Sequence, residues 1–165
     1  MRKLVVYYSF SGATQLLAAE IARQTGADLR ALIPKTPYDF GRNTAVRELR
    51  SEIGRGFCPE LASGGESVEP YDAVFIGSPN WLNRLAPPVL SFLRRADLSG
   101  KAVIPFCTSG SGGFGRMIED FQRECPASKL LPGFAAEAGF APSEVSKWLR
   151  GIGLQGESIE GEEST

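Results

Sequence analysis

The chain reads as an α/β protein built on a doubly wound parallel sheet with helices on both faces. Three observations predict this. Short apolar runs rich in β-branched and aromatic residues, at residues 4–8, 73–77 and 101–107, have the character of strands buried on both sides. Segments with apolar residues three and four apart follow them, as amphipathic helices do. The junctions from strand to helix are rich in Gly, Ser, Thr, Asn and Pro. Alternating strands and helices imply parallel pairing with right-handed crossovers. Ligands in such a sheet bind beyond the carboxyl ends of the strands, where strand order reverses.

The first strand covers residues 4–8, and Leu17, Ala18, Ile21 and Ala22 mark a helix that opens at about Thr14. Residues 28–33 alternate polar and apolar as a short second strand, stopped by Pro34 and Pro37. Val46, Leu49 and Ile53 define one face of a second helix, which carries Arg42, Arg47 and Arg50 as solvated charges. Residues 54–70 hold no sustained period and read as a long loop. A third strand at 73–77 ends at Ser78-Pro79. Val89, Phe92, Leu93 and Ala96 give a third helix that Pro87-Pro88 starts. After the fourth strand, a glycine-rich turn leads to a helix marked by Phe114, Met117, Ile118, Phe121 and Cys125. A fifth strand falls within residues 130–140. Val145, Trp148, Leu149 and Ile152 form a closing helix, with Ser143 as cap and Gly151 as stop.

At 165 residues and 42% hydrophobic content, the chain suits one domain, residues 1–154. The last segment, 155–165, is acidic and small (Glu157, Glu160, Glu162, Glu163) and has the composition of a disordered tail. Charge is balanced, with 18 basic and 19 acidic residues, so nucleic acid is not an expected partner. The apolar runs are too short to span a bilayer or to serve as a leader after Met1-Arg2-Lys3. Cys58, Cys107 and Cys125 are odd in number and widely spaced, which suits reduced thiols in a cytoplasmic protein.

There is no histidine, which removes Ser-His-Asp and Cys-His systems and most zinc sites, and there is no G-x-S-x-G elbow. Neither catalytic nor metal-ligating side chains are therefore expected, and a bound cofactor is the simplest bearer of chemistry. Three loops point to its place. Ser9-Phe10-Ser11-Gly12-Ala13-Thr14 puts three hydroxyls and a glycine where a strand meets a helix N-terminus, a setting that favours an anion. Ordinary Ser/Thr capping is the other reading of that turn. It lacks the lysine of a P-loop and the glycines of a dinucleotide turn, which leaves a terminal monophosphate. The loop Ser78-Pro79-Asn80-Trp81-Leu82-Asn83-Arg84 offers an indole for stacking on a flat ring. Thr108-Ser109-Gly110-Ser111-Gly112-Gly113-Phe114-Gly115 matches G-x-G-x-x-G, but after the fourth strand; its glycines let backbone approach a ring closely.

In this order and spacing the three loops resemble those of the flavodoxin family, in its short single-domain form, over residues 3–154. The resemblance implies five strands in the order 2-1-3-4-5 that defines the flavodoxin-like topology, and bound FMN. It implies that Ser9, Ser11, Gly12, Ala13 and Thr14 hold the phosphate, with Phe10 beside the ribityl chain. Ser78, Pro79, Asn80, Trp81, Leu82 and Asn83 would border the isoalloxazine. Thr108, Ser109, Gly110, Gly112 and Gly113 would meet its pyrimidine edge, with Phe114 as a second aromatic neighbour and Tyr38 covering part of the site. Flavodoxins pass electrons between transient redox partner proteins. Two departures stand out: Arg84 in the ring loop instead of acidic residues, and no glycine in residues 79–86. The alternative activity is an FMN-dependent NAD(P)H:quinone-type oxidoreductase.

Overall fold

A computed structural model describes residues 1–156; the expected acidic tail lies, beyond its first two residues, outside them. The elements are β1 (Lys3–Tyr7), α1 (Ala13–Thr25), β2 (Asp28–Ala31), β3 (Ile33–Pro34), α2 (Ala45–Gly54), β4 (Leu61–Ser63), β5 (Ala73–Trp81), β6 (Arg84–Leu85), α3 (Pro87–Arg95), β7 (Ala102–Ser109), α4 (Met117–Glu124), β8 (Lys129–Leu130), β9 (Phe134–Glu137) and α5 (Pro142–Gly151). Parallel pairing runs β2-β1-β5-β7, and β7 then pairs with both β8 and β9. With β8 and β9 as one interrupted fifth strand, this is the order 2-1-3-4-5.

The apolar runs become strands because both of their faces are covered. Leu4 and Val6 of β1 face a core shared with Val89 and Phe92 of α3 and Met117 and Phe121 of α4. Val5 and Tyr7 face the opposite core, shared with Leu17 and Ile21 of α1 and Val145 and Leu149 of α5. The two-residue period of a strand thus feeds two separate layers. At Gly77 the layers leave no room, since a Cβ there would stand 2.1 Å from the Phe106 ring.

Several local readings change. The third strand does not stop at Ser78-Pro79. It continues to Trp81 and turns back as β6 through Leu82-Asn83, with Trp81 opposite Arg84. Both turn residues have positive φ, 54° and 65°, the geometry of a type I′ turn. That turn usually carries Asn-Gly, and Leu82-Asn83 lacks that hairpin signal. Residues 54–70 are not wholly loop, because β4 pairs antiparallel with β3. The buried face of α2 is Ala45 and Leu49, whereas Val46 is 53% exposed, so the apolar stripe lies one residue away from the expected one. The fifth strand breaks at Pro132-Gly133, where Pro132 has no N–H and a Cβ at Gly133 would stand 2.5 Å from the Pro105 carbonyl. Ser143 is not a cap, because α5 starts with Pro142 after Ala141, and Gly153 at φ 73° follows its end.

Candidate functional site

The loops after β1, β5 and β7 converge, as expected for a parallel sheet, and the loop after β9 joins them. Between them lies a cleft of about 440 Å³. Its lining includes Ser11 and Ala13 from the first loop, Pro79, Asn80 and Trp81 from the end of β5, and Thr108, Ser109 and Gly110 from the end of β7.

The first loop forms a helix start with free donors. Gly12 takes φ 98°, a left-handed value that suits glycine. Ser9 Oγ accepts the Gly12 and Gln15 amides, both at 3.2 Å, and so caps α1 from inside the turn. The Ser11, Ala13 and Thr14 amides have no hydrogen-bond acceptor among the described residues. They add to the positive end of the helix dipole. Both readings of this turn are thus realised together: Ser9 is a capping side chain, and an anion-ready set of amides remains. Buried Thr14 ties the first loop to the third, its Oγ1 2.8 Å from Thr108 Oγ1.

Ser109 Oγ in the third loop is buried and has no hydrogen-bond partner. An unpaired buried hydroxyl is costly unless a bound group completes it. It sits in the cleft lining, next to Gly110, where a Cβ would meet no protein atom within 4 Å. Chain packing therefore does not demand glycine at 110, whereas a ligand lying close to the backbone would.

Trp81 lines the cleft and also sits at the centre of an aromatic cluster. Tyr8, Phe10, Tyr38 and Phe40 surround it edge-on, with ring centroids 5.4, 6.0, 5.1 and 5.1 Å away. These contacts hold the indole while it faces the cleft. Burial pushes the Tyr8 hydroxyl up to about 12, so it stays neutral.

The other predicted residues support the walls. Ser78 is fully buried; its hydroxyl donates to the Pro79 carbonyl and accepts the Ala86 amide at 3.0 Å, bracing the base of the hairpin. Asn80 is committed to the protein: its Nδ2 donates to the Gly113 carbonyl and its Oδ1 accepts the Asn83 amide. Leu82 and Asn83 form the hairpin tip, and the Asn83 carbonyl accepts the Arg116 amide at 2.8 Å. Gly112 and Gly113 (φ 87° and 56°) shape the glycine loop outside the lining. Gly115 lets that loop meet the hairpin, since a Cβ there would stand 2.8 Å from Asn83 Cβ. The literal G-x-G-x-x-G thus serves hairpin docking in its last glycine and the cleft in its first. Phe10 lies outside the lining, 4.9 Å from Phe40.

Arg84 does not face the cleft. Its guanidinium grips Asp120 of α4 through Nε and Nη2, at 2.7–3.0 Å, and Arg123 and the Leu85 amide donate to the same carboxylate. Phe114 packs near Gly133 instead of lining the cleft, and Phe140 takes a place in the lining. Leu16, Ala136, Ala138 and Gly139 also line it and were not foreseen, nor were Tyr8 and Phe40 beside Trp81. A glycine just past the fifth strand, at the ligand edge of the sheet, was the available signal for that fourth loop. No charged side chain is in the lining. Cys107, the nearest buried thiol, is pushed up to about 12, by burial first and by Glu137 second, so it is no thiolate. No cluster of metal-ligating residues occurs among the described residues, and no helix there is long and apolar enough to cross a membrane.

Fold and cleft together define an α/β protein with a mononucleotide-sized site at the switch point of its sheet. The flavodoxin family model matches residues 2–152, and the chain belongs to that family. Among solved structures, a candidate flavoprotein of Bacteroides eggerthii DSM 20697 is 26% identical, with a TM-score of 0.80 over 93% of this chain and 99% of that one. Another from Bacteroides uniformis ATCC 8492 is 25% identical, with a TM-score of 0.76 over 90% and 97%. A flavoprotein of Lactobacillus acidophilus NCFM, solved in complex with FMN, shares the fold at 22% identity, with a TM-score of 0.70 over 89% and 97%. No curated protein matches the sequence.

Proposed function

We propose that the chain binds FMN in this cleft and carries electrons between redox partner proteins in the cytoplasm. The observation that carries the reading is the lone Ser109 hydroxyl, buried in a cleft whose lining also includes Ser11 and Ala13 of the first loop and the Trp81 indole. The Ser11, Ala13 and Thr14 amides would hold the phosphate, with the Ser11 hydroxyl beside them. Trp81 would cover the ring, and Ser109 with the Gly110 backbone would meet its polar edge. The FMN complex of the Lactobacillus acidophilus protein supports the same cofactor here. When bound, the flavin supplies one- and two-electron chemistry.

The chain's own part is to bind, orient and tune. With no charged side chain in the lining, amides and the helix dipole alone meet the phosphate charge. The same lining holds no carboxylate to repel an added electron. The three cysteines are free, which fits a reducing compartment.

Purified protein is expected to be yellow, to release FMN on denaturation, and to rebind it one to one. Protein that stays colourless with excess FMN refutes the assignment. Anaerobic reduction separates the two roles: slow reaction with NADPH and ready reduction by a one-electron donor supports the carrier. Rapid two-electron reduction by NADPH without a partner supports the oxidoreductase.

A further inference from the structure

A second cleft, of about 470 Å³, lies on the far side of the aromatic cluster and shares no lining residue with the first. Its size is that of a small-molecule site. Tyr38 and Phe40 form one wall, stacked with centroids 6.1 Å apart and planes 19° from parallel. Buried Ala45 and Leu49 of α2 supply an apolar floor, and half-buried Phe57 adds a third ring.

The charges around this cleft do not cancel. Lys35 pairs with Glu60, and Arg42 pairs with Glu48 at 2.8 Å. That leaves Asp39 and Glu52 with no ion-pair partner among the described residues. Glu52 Oε2 accepts the Tyr38 hydroxyl at 2.8 Å. This bond places a carboxylate at the edge of the aromatic wall. Aromatic faces and a carboxylate around an apolar floor recognise organic cations, through ring quadrupoles and charge together. The Arg55 guanidinium, outside the lining, stands 4.7 Å over the Phe57 ring, so that third ring already carries a cation. One negative charge remains in excess, and Tyr38 and Phe40 are the faces left for a ligand.

We propose that this second cleft binds a small organic cation with a flat, apolar body, of the aryl-ammonium or pyridinium class. An anion would meet Asp39 and Glu52, and a neutral arene would gain nothing from them. Because Tyr38 and Phe40 each lie 5.1 Å from Trp81, occupancy is felt at the indole. No residue lining this cleft lines the first, so the cation site does not require bound FMN.

The test uses the full chain carrying Trp148→Phe, so that Trp81 is the one indole reporter, with calorimetry alongside. Benzyltrimethylammonium is compared with benzyl alcohol and benzoate at matched ionic strength. Saturable one-to-one binding of the cation, at least tenfold tighter than either comparator, supports the site. Glu52→Gln, which keeps shape and removes charge, is expected to weaken the cation at least tenfold at unchanged thermal stability. Phe40→Leu is expected to weaken it severalfold. Benzoate binding as tightly as the cation, no saturation by the cation, or unchanged affinity in Glu52→Gln each overturns the proposal.

Discussion

Removing the Asp120 carboxylate is expected to destabilise the fold by about 2–3 kcal/mol, and the reason can be traced atom by atom. The side chain is buried, at 3% exposure, and accepts hydrogen bonds from Arg84, Arg123 and the Leu85 amide. Burial alone would raise its pKa, but the Arg84 and Arg123 hydrogen bonds and the Leu85 amide outweigh that and hold it below the usual carboxylate range. Asp120→Ala leaves a guanidinium and an amide without their acceptor. Breaking a fully buried pair costs about 3–5 kcal/mol. The Arg84 side chain keeps 25% exposure, so water recovers part of this and the lower figure follows. For a domain of this size that is a fall in Tm of roughly 5–10 °C. Asp120→Asn keeps an acceptor for Leu85 and loses the charge, so about half the effect is expected.

The pH dependence has a definite sign. A carboxyl whose folded pKa is depressed stabilises the fold above its unfolded value, about 3.9, and that contribution is lost as pH falls through the folded value. The gap between native protein and Asp120→Ala in urea unfolding should be full at pH 7 and shrink below about pH 4. A loss under about 1 kcal/mol at pH 7, or a gap independent of pH, refutes the clamp. An Arg84→Met/Asp120→Ala cycle isolates the pair itself.

Four further outcomes are expected. Trp81→Ala should weaken FMN binding about 10- to 100-fold, or about 1.4–2.8 kcal/mol, with the fold kept by circular dichroism; unchanged affinity denies its place over the ring. FMN should bind more tightly than riboflavin, yet with weak salt dependence, since amides and not Lys or Arg meet the phosphate; a steep salt slope would reveal a cation in the site. Leu82→Asn should stabilise by about 0.5–1 kcal/mol, because asparagine tolerates the left-handed backbone that leucine is made to adopt there. Gly77→Ala should cost at least about 1–3 kcal/mol in denaturant unfolding, since its methyl meets the Phe106 ring.

Much of the site was legible because the phosphate turn, the indole loop and the glycine loop are each local in sequence. Ser11, Ala13, Pro79, Asn80, Trp81, Thr108, Ser109 and Gly110, in loops marked by strand-to-helix junctions and given their roles by the family resemblance, line the cleft, whereas Ser9, Phe10, Gly12, Thr14, Ser78, Leu82, Asn83, Gly112 and Gly113 do not. Which polar groups stay free was not legible. Asn80 and Thr14 bear the same donors whether or not another segment engages them, and both are engaged, by Gly113 and Thr108. Arg84 looked like a charge at the ring until α4 brought Asp120 against it from 36 positions away.

Strand and helix periodicity, the order of elements and the edge of the sheet that binds ligand were properties of the sequence alone. They depend on neighbours within a turn or a strand, and on crossover handedness that applies to any chain of this pattern. Tertiary structure decided the hairpin beyond Pro79, the aromatic ring set around Trp81, the loop after β9 and the solitary hydroxyl of Ser109. Each of these arises from groups far apart in the chain competing for the same space and the same hydrogen bonds. Local sequence pattern does not encode the outcome of that competition.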